Sequence, residues 1–418
     1  MEVQFLGGAR EIGRSAILVD ERLLLDFGMD SGDPPRFPVG DVAPEAVVVS
    51  HGHLDHVGAL PALLSGSDRP PVHWTPPTRD LAMLLCRDTL KLHGGTYDCP
   101  FTEAELARLT QVSETHGYEE SFPVLGGPAN GGYEVTFYDA GHVPGSAHVL
   151  VDDGDARLLY TGDFHTEDQQ LVAGTTARPA ADVVICESTY ADTARRPRAE
   201  IEREFAESLK ATVWEGGTVV VPAFAIGRTQ EALCICAAHD VDCYVDGMGK
   251  RVTELFLRPR NRSFLRDAHR LRRAKGNARF VTGRDGQRKR IAAENTVIVT
   301  TSGMLHGGPA MTYVPEIRDH PANKIALTGY QVEGTPGREL LETGSAEIDG
   351  RVMPVSAQVE GYDFSAHADR DGLLAFLESY RDGMVLVNHG DRCPAFAAEL
   401  RADGFDARAP ALGETVRR

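Results

Sequence analysis

The 418-residue chain lacks the features that would place it in several large classes of protein. No uninterrupted apolar run approaches the ~18 residues that a membrane-spanning helix requires, so no membrane partner is expected. Residues 1–10 lack the basic segment followed by an apolar stretch that marks a secretory signal, and a cytoplasmic location is the expectation. The seven cysteines are odd in number, scattered, and contain no C-x-x-C pair. That pattern supports neither a disulfide framework nor a thiolate zinc knuckle, and leaves reduced, structural thiols. Lysine is scarce, with six residues against 37 arginines, and the formal net charge is -18. Such an excess would ordinarily argue against a nucleic-acid partner, because phosphate binding needs a positive field. Arginine bias in an acidic chain fits a salt-rich cytoplasm, where the Debye length falls to roughly 3 Å at 1 M and repulsion from RNA is screened. A high-GC genome favouring arginine codons explains the bias equally well. Net charge therefore does not exclude RNA.

What is present is the balance of a globular protein, with 42% hydrophobic and 25% charged residues. The length suits two domains, or one domain carrying a large insertion. Up to about residue 190, short β-branched or leucine-rich runs read as buried strands: 16–19, 23–26, 46–49, 158–160 and 183–186. Helical stretches, 78–92 and 102–110, sit between them. From 191 to 350 strand, glycine loop and helix alternate, with runs at 219–222, 297–299 and 325–327 and a helix expected over 228–238. This alternation predicts a parallel α/β unit, whose glycine loops at strand ends are natural anion sites. After 350 the short strands return at 351–355 and 384–387. Three spans follow: 1–190, an insertion over 191–350, and 351–418 completing the first domain.

The segment Ser50-His51-Gly52-His53-Leu54-Asp55-His56-Val57-Gly58 directly follows a predicted strand. A turn there lets His51 and His53 converge on one ion while Asp55 and His56 face a second, the imidazole and carboxylate mixture that zinc accepts. Three histidines and an aspartate within six residues make a merely polar loop improbable. Two ions need further ligands, and three more candidates sit at predicted strand ends: His142 after 135–138, Asp163 after Tyr160-Thr161-Gly162, and His389 after Val387-Asn388. His148 and His165 lack that context and read as structural or substrate-facing.

H-x-H-x-D-H, then G-H, then T-G-D resembles the metallo-β-lactamase superfamily. Three further segments resemble motifs A, B and C of its β-CASP nucleases: Cys186-Glu187-Ser188-Thr189-Tyr190, Phe364-Ser365-Ala366-His367-Ala368-Asp369, and Val387-Asn388-His389-Gly390. Supporting segments are Pro222 to Glu231, Ser302-Gly303-Met304 and Gly329 to Thr335. The resemblance covers essentially the whole chain. It implies an α/β fold, a metallo-β-lactamase αββα sandwich with an inserted parallel α/β (β-CASP) domain. Histidine in motif C goes with RNA substrates in this family. The Ser-Ala-His of motif B is similar to the endonuclease subunit of the cleavage and polyadenylation factor and its shorter prokaryotic homologues without KH domains.

By that resemblance the cofactor is two Zn²⁺ per chain, one held by His51, His53 and His142, the other by Asp55, His56 and His389, with Asp163 bridging. The same resemblance gives His367, held by Glu187, the role of general acid in phosphodiester hydrolysis to 5′-phosphate and 3′-hydroxyl ends. Asp26 is expected either to orient a ligand imidazole or to cap its own turn. Residues 258–290 hold 13 basic residues against Asp267 and Asp285. Arg270, Arg272 and Arg273 within that stretch, with Ser302 and Gly303, are the candidate contacts to a preferably single-stranded RNA. A solvated helix face or a subunit contact, including a homodimer, is the alternative for the basic stretch. The competing functions are a 5′-to-3′ exoribonuclease of J type, a non-RNA zinc hydrolase of the same superfamily, and a non-catalytic scaffold. Retention of every ligand position argues against the scaffold.

Overall fold

The computed structural model describes every residue except Ser31, Asp33, Asp285 and Asp349, so Asp285 of the basic stretch lies outside the described residues. Internal contacts divide the chain into two compact units. One comprises Met1–Glu167, Gly174–Ala194 and His367–Arg418, the other Asp168–Ala173 and Arg195–Ala366. The divisions expected at 190 and 350 thus fall at 194 and 366. The later shift has a simple cause. Arg351–Pro354 pairs with Ser345–Ile348, and Gln358–Gly361 runs parallel to Lys324–Leu327, so both strands belong to the second unit.

The first unit contains two seven-stranded sheets. One is ordered Thr415–Arg417, Glu2–Gly7, Ala16–Val19, Leu23–Leu25, Ala46–Val48, Val72–Trp74, Ser113–Thr115. The other is ordered Asp406–Arg408, Met384–Asn388, Val183–Glu187, Arg157–Tyr160, Ala147–Asp152, Tyr133–Asp139, Ser121–Val124. Side chains alternate across a strand, and here both faces are apolar. Ile17, Val19, Leu23, Leu25 and Val48 share a core with Val135, Phe137, Val149, Val151, Leu158 and Ile185 of the other sheet.

Their sequence neighbours Leu18, Leu24, Val47 and Val49 pack with Ala82, Met83, Leu106 and Leu109, from the helices Pro76–His93 and Glu103–Gln111. On the second sheet Leu150, Leu159, Val184, Val385 and Val387 pack with Phe376, Phe396 and Leu400, from Arg370–Leu377 and Cys393–Ala402. Burial on both faces explains why these strands read as unbroken apolar runs. The result is the expected helix–sheet–sheet–helix sandwich.

The second unit holds a six-stranded sheet in which every neighbouring pair is parallel: Ala278–Phe280, Cys243–Asp246, Val297–Thr300, Val219–Pro222, Lys324–Leu327, Gln358–Gly361. The three strands legible in the sequence are the adjacent central ones, each fully buried. The other three are less completely buried, and two of them, Ala278–Phe280 and Gln358–Gly361, lie at the sheet edges. The helix Arg228–Ala238 begins after Gly227, whose φ of 78° suits glycine. The Gly227 N–H donates to Gln230 Oε1 at 2.9 Å.

The inter-sheet core yields a stability prediction. Phe137 is fully buried between the sheets, whereas Glu134 on the same strand is exposed. Phe137→Ala is expected to destabilise the first unit by about 3–5 kcal/mol and Glu134→Ala by less than about 0.5 kcal/mol, measured by urea denaturation. Equal effects would contradict this assignment of faces.

Candidate metal centre

Strand direction gathers the site. Arg157–Tyr160, Val183–Glu187 and Met384–Asn388 are mutually parallel neighbours, so Asp163, Glu187 and His389 emerge from one edge of the sheet. Tyr133–Asp139 is two antiparallel steps from Arg157–Tyr160 and points the same way, which delivers His142 to that edge. The other sheet contributes the loop after Ala46–Val48, carrying His51 and His53, and the short helix Leu54–Val57 that follows, carrying Asp55 and His56. Two close approaches hold these loops together. A Cβ on Gly28 would sit 1.7 Å from the Asp55 carbonyl oxygen, and one on Gly162, at φ 52°, would sit 2.8 Å from Ser50 Cβ.

Two clusters result, sharing Asp163. His51, His53, His142 and Asp163 each place a ligand atom within 4.8 Å of the others, and so do Asp55, His56, Asp163 and His389. His53 Nδ1 lies 3.1 Å from His51 Nε2 and 3.0 Å from His142 Nε2. Asp163 Oδ2 is 3.5 Å from His51 Nε2 and 3.4 Å from His56 Nε2. His389 Nε2 is 3.3 Å from Asp55 Oδ2. Ligands at about 2.0–2.1 Å around a tetrahedral zinc are separated by about 3.3 Å, so these spacings suit a cation at the centre of each group. The fit has independent support. His56 Nε2 and Asp163 Oδ1 are buried polar atoms without a hydrogen-bond partner, an arrangement that native proteins reserve for unplaced ions or waters and functional strain.

The electrostatics agree with this donor set. Burial, with help from His56 and His142, pushes His51 well below the ordinary imidazole value, and burial lowers His53 to about 4. Both rings are therefore neutral near pH 7, with lone pairs available to a metal. Burial opposes charge on Asp163, but His389, His56 and His51 outweigh it and hold the carboxyl well below its usual range. His56 is pushed the other way: burial disfavours its proton, yet Asp163, Asp55 and Asp26 raise it well above 6.5.

Asp26 fixes the loop, and its carboxylate does not cap its own turn. Oδ1 accepts the Ser50 N–H at 2.7 Å, and Oδ2 takes the Ser50 hydroxyl at 2.6 Å, the Tyr160 hydroxyl at 2.8 Å and His56 Nδ1 at 2.7 Å. With Nδ1 held, His56 presents Nε2 to the cluster. Ser50 and Tyr160 escaped the sequence reading because hydroxyl donors carry no motif of their own. Thr189 escaped it too, and its Oγ1 lies 3.2 Å from His389 Nδ1.

Glu187 and His367 form the adjoining pair. His367 Nδ1 is 3.1 Å from each Glu187 oxygen. Glu187, almost fully buried, also accepts the Phe164 N–H at 2.8 Å and the Thr189 N–H at 3.3 Å. The His367 ring centroid is 4.6 Å from that of His142, and its side chain keeps 18% exposure. His367, Glu187 and Asp163 also bring ligand atoms within 4.8 Å of one another, so geometry alone admits His367 as a ligand.

The remaining candidates lie elsewhere. His148 is fully buried: Nδ1 contacts the Thr161 carbonyl at 2.8 Å and the ring packs near Phe164 and Phe376. His165 is buried. Ser302 and Gly303 belong to the second unit, just after Val297–Thr300, where the Gly303 carbonyl accepts Gln331 Nε2 at 3.2 Å. Arg270, Arg272 and Arg273 lie on the helix Ala268–Asn277. Arg270 is half-buried and donates to Gln170 Oε1 at 2.6 Å, while Arg272 and Arg273 are exposed. Much of the basic stretch is paired with acids: Arg266 with Asp168, Lys275 with Glu254, Arg288 with Asp246, Lys289 with Glu316.

The sandwich and its strand-end His/Asp clusters define a metallo-β-lactamase-type hydrolase scaffold, and comparison with known proteins agrees. Residues 10–211 match the metallo-beta-lactamase superfamily, 230–340 the Beta-Casp domain, and 352–410 the Zn-dependent metallo-hydrolase RNA specificity domain. The chain is 35% identical over 400 residues to a Saccharolobus solfataricus protein named RNase aCSPSF2, covering 93% of this chain and 79% of that one. It is 31% identical over 435 residues to the Probable RNase MJ4 of Methanocaldococcus jannaschii, covering 100% of both chains. It is also 31% identical over 472 residues to the Transcription termination factor FttA of Pyrococcus abyssi, covering 99% of this chain and 70% of that one. A crystal structure of a protein of unknown function from Enterococcus faecalis V583 shares the fold, with TM-score 0.62 and 13% identity over 99% of both chains. The chain belongs to the β-CASP family of zinc-dependent metallo-β-lactamase-fold hydrolases. No helix among the described residues is long and apolar enough to cross a membrane.

Asp26→Asn removes the charge that holds His56 Nδ1 and leaves the loop backbone acceptor in place. The expected outcome is a loss of roughly 10–100-fold in metal affinity, measured by chelator competition on a variant that stays folded. Unaltered metal retention would assign Asp26 to folding alone.

Proposed function

We propose that the chain is a zinc-dependent ribonuclease that hydrolyses RNA phosphodiester bonds to 5′-phosphate and 3′-hydroxyl ends, acting in RNA 3′-end processing or decay in the cytoplasm. The observation that carries the reading is the pair of clusters meeting at Asp163, with the Glu187–His367 pair alongside. Relatives named as RNases and the match of 352–410 to an RNA specificity domain support RNA as substrate.

In this reading His51, His53 and His142 would hold one zinc and Asp55, His56 and His389 the other, with Asp163 shared by the two groups. When bound, the two ions supply Lewis acidity at the phosphoryl group and lower the pKa of the attacking water. The chain's own residues do the rest. Asp26 holds His56 in the tautomer that ligates. Glu187 commits His367 Nδ1, so the proton delivered to the leaving 3′-oxygen comes from Nε2. Arg270, Arg272 and Arg273 on one helix, and Ser302 and Gly303 at a strand end of the parallel sheet, are the backbone contacts of single-stranded RNA. Arg272 and Arg273 are the more exposed of the three, whereas Arg270 is half-buried against Gln170.

Elemental analysis is expected to give about two zinc per chain, falling in Asp163→Ala together with hydrolysis. Full occupancy and wild-type rate in that variant would overturn the bridging role. His367→Ala is expected to keep both metals and bind RNA while losing ~10²–10⁴ in the chemical step. On a linkage whose bridging 3′-oxygen is replaced by sulfur, the thiolate hardly needs a proton, so His367→Ala recovers much of its rate and His389→Ala does not. Zinc loss in His367→Ala would make His367 a ligand.

Replacing Arg272 and Arg273 together is expected to weaken RNA binding and flatten its salt dependence by ~0.7 per lost contact. Unchanged binding at low salt would return the helix to a structural role. Mapping the products of 5′- and 3′-labelled RNAs separates internal cleavage from the 5′-to-3′ exonucleolytic alternative.

A further inference from the structure

We propose that His73, Glu114 and His116 form a second, separate site for a first-row divalent transition cation of the Zn²⁺, Ni²⁺ or Cu²⁺ class. None of the three belongs to the clusters around Asp163. They bring one ligand atom each within 4.8 Å of the others. Two imidazoles and a carboxylate are the donors these cations prefer, and three protein ligands leave a position open to water.

The backbone sets the geometry. Val72–Trp74 and Ser113–Thr115 are parallel neighbours in which His73 is the register partner of Glu114. His116 follows directly, its N–H donating to the Trp74 carbonyl at 3.0 Å. His73 Nδ1 lies 3.1 Å from His116 Nε2 and 3.6 Å from Glu114 Oε2. Both distances bracket the ~3.3 Å edge of a tetrahedral zinc site.

The rings are held in place before any ion arrives. His116 stacks face to face on Phe122, with centroids 3.5 Å apart and planes 7° apart, and His73 stacks on the same ring at 5.3 Å. Phe122 belongs to the inter-sheet core. Val72 and Trp74 pack into the cluster on the opposite face of the sheet, so His73, 4% exposed, points where alternation calls for an apolar residue. Placing an imidazole there costs free energy that a hydrocarbon would avoid, and cation binding gives that placement a use.

Charge and protonation favour the same reading. Burial lowers His73 to about 4, and burial with His73 nearby lowers His116 as well, so both rings are neutral at pH 7. Glu114 and Glu120 add negative potential beside His116. Binding breaks the contact between the two ring nitrogens, and the ring whose N–H made it shifts that proton to its other nitrogen, so both rings stay neutral. Ser113–Thr115 is the edge strand of its sheet, so an ion here ties that edge to its neighbour.

The test counts ions on the full chain. Wild type, His116→Gln and Glu114→Gln are dialysed against fixed free Zn²⁺ or Ni²⁺, and bound metal per chain is measured. Wild type is expected to hold one equivalent more than His116→Gln, and Glu114→Gln to need roughly tenfold or more free cation to fill that equivalent. The same equivalent persists in Asp163→Ala, which separates it from the proposed catalytic ions whether or not that centre holds two. With Cu²⁺, wild type is expected to show one further copper signal split by two imidazole nitrogens, beyond any from the clusters around Asp163, and His116→Gln to lack it. Glu114 is 57% exposed, so its variant leaves the core untouched and decides the matter if His116→Gln does not fold. Equal metal content in wild type and the folded variants at every free concentration would show that the histidines form only a hydrogen-bonded pair.

Discussion

The carboxylate of Asp26 is the constraint on which the rest of the site depends. It is fully buried and receives hydrogen bonds from a loop N–H, a serine hydroxyl, a tyrosine hydroxyl and an imidazole. A buried carboxylate costs several kcal/mol unless such donors are in place. Each donor left unpaired by its removal would cost about 1–3 kcal/mol more. The arrangement is therefore stable only as a whole. Tyr160 comes from one sheet, Asp26 follows a strand of the other, Ser50 opens the histidine loop and His56 lies on the helix Leu54–Val57. One carboxylate thus registers the two sheets against each other and aims His56.

Strand direction supplies the second constraint. Residues brought within a few ångströms are far apart in sequence: Glu187 and His367 by 180 positions, Asp55 and His389 by 334. The chain leaves the first unit after Ala194 and re-enters it at His367. Motif A therefore lies just before the departure, and motif B, Phe364 to Asp369, spans the return. The site is complete only where the strand Met384–Asn388 pairs parallel to Val183–Glu187 and carries His389 to the others. Pairing of that kind closes a long loop and costs chain entropy that local contacts do not.

How far the sequence could be read follows from this geometry. His51, His53, Asp55 and His56 were legible because they are local, and His142, Asp163 and His389 because strand ends announced them. Tyr160 and Ser50 were silent, since a hydroxyl becomes a positioning group only through a partner 134 or 24 positions away. The central strands of the parallel sheet were visible as buried runs, whereas Ala278–Phe280 and Gln358–Gly361, exposed at its edges, carry no such signal. Along 258–290 a sequence sums charge but does not show that Arg288 and Lys289 already face Asp246 and Glu316. His73 and His116 were missed for a related reason: they are 43 positions apart, and each strand involved is three residues long.

The acidity of the chain poses a last question: how a protein of net charge -18 admits a phosphodiester anion. In the protein alone, Asp55 and Asp163 are held ionised while His56 and His389 are raised toward protonation, so imidazolium charge offsets carboxylate charge. A metal ion competes with those protons for the same atoms, and binding expels them. Replacing monovalent protons by divalent cations on the proposed ligands leaves the pocket more positive than before. The field that attracts RNA is then created locally, at the centre where the phosphate must sit, and salt screening matters less there than on an open surface. Global charge and substrate charge are thus reconciled by the occupancy of one buried cluster, without a basic surface over the whole molecule.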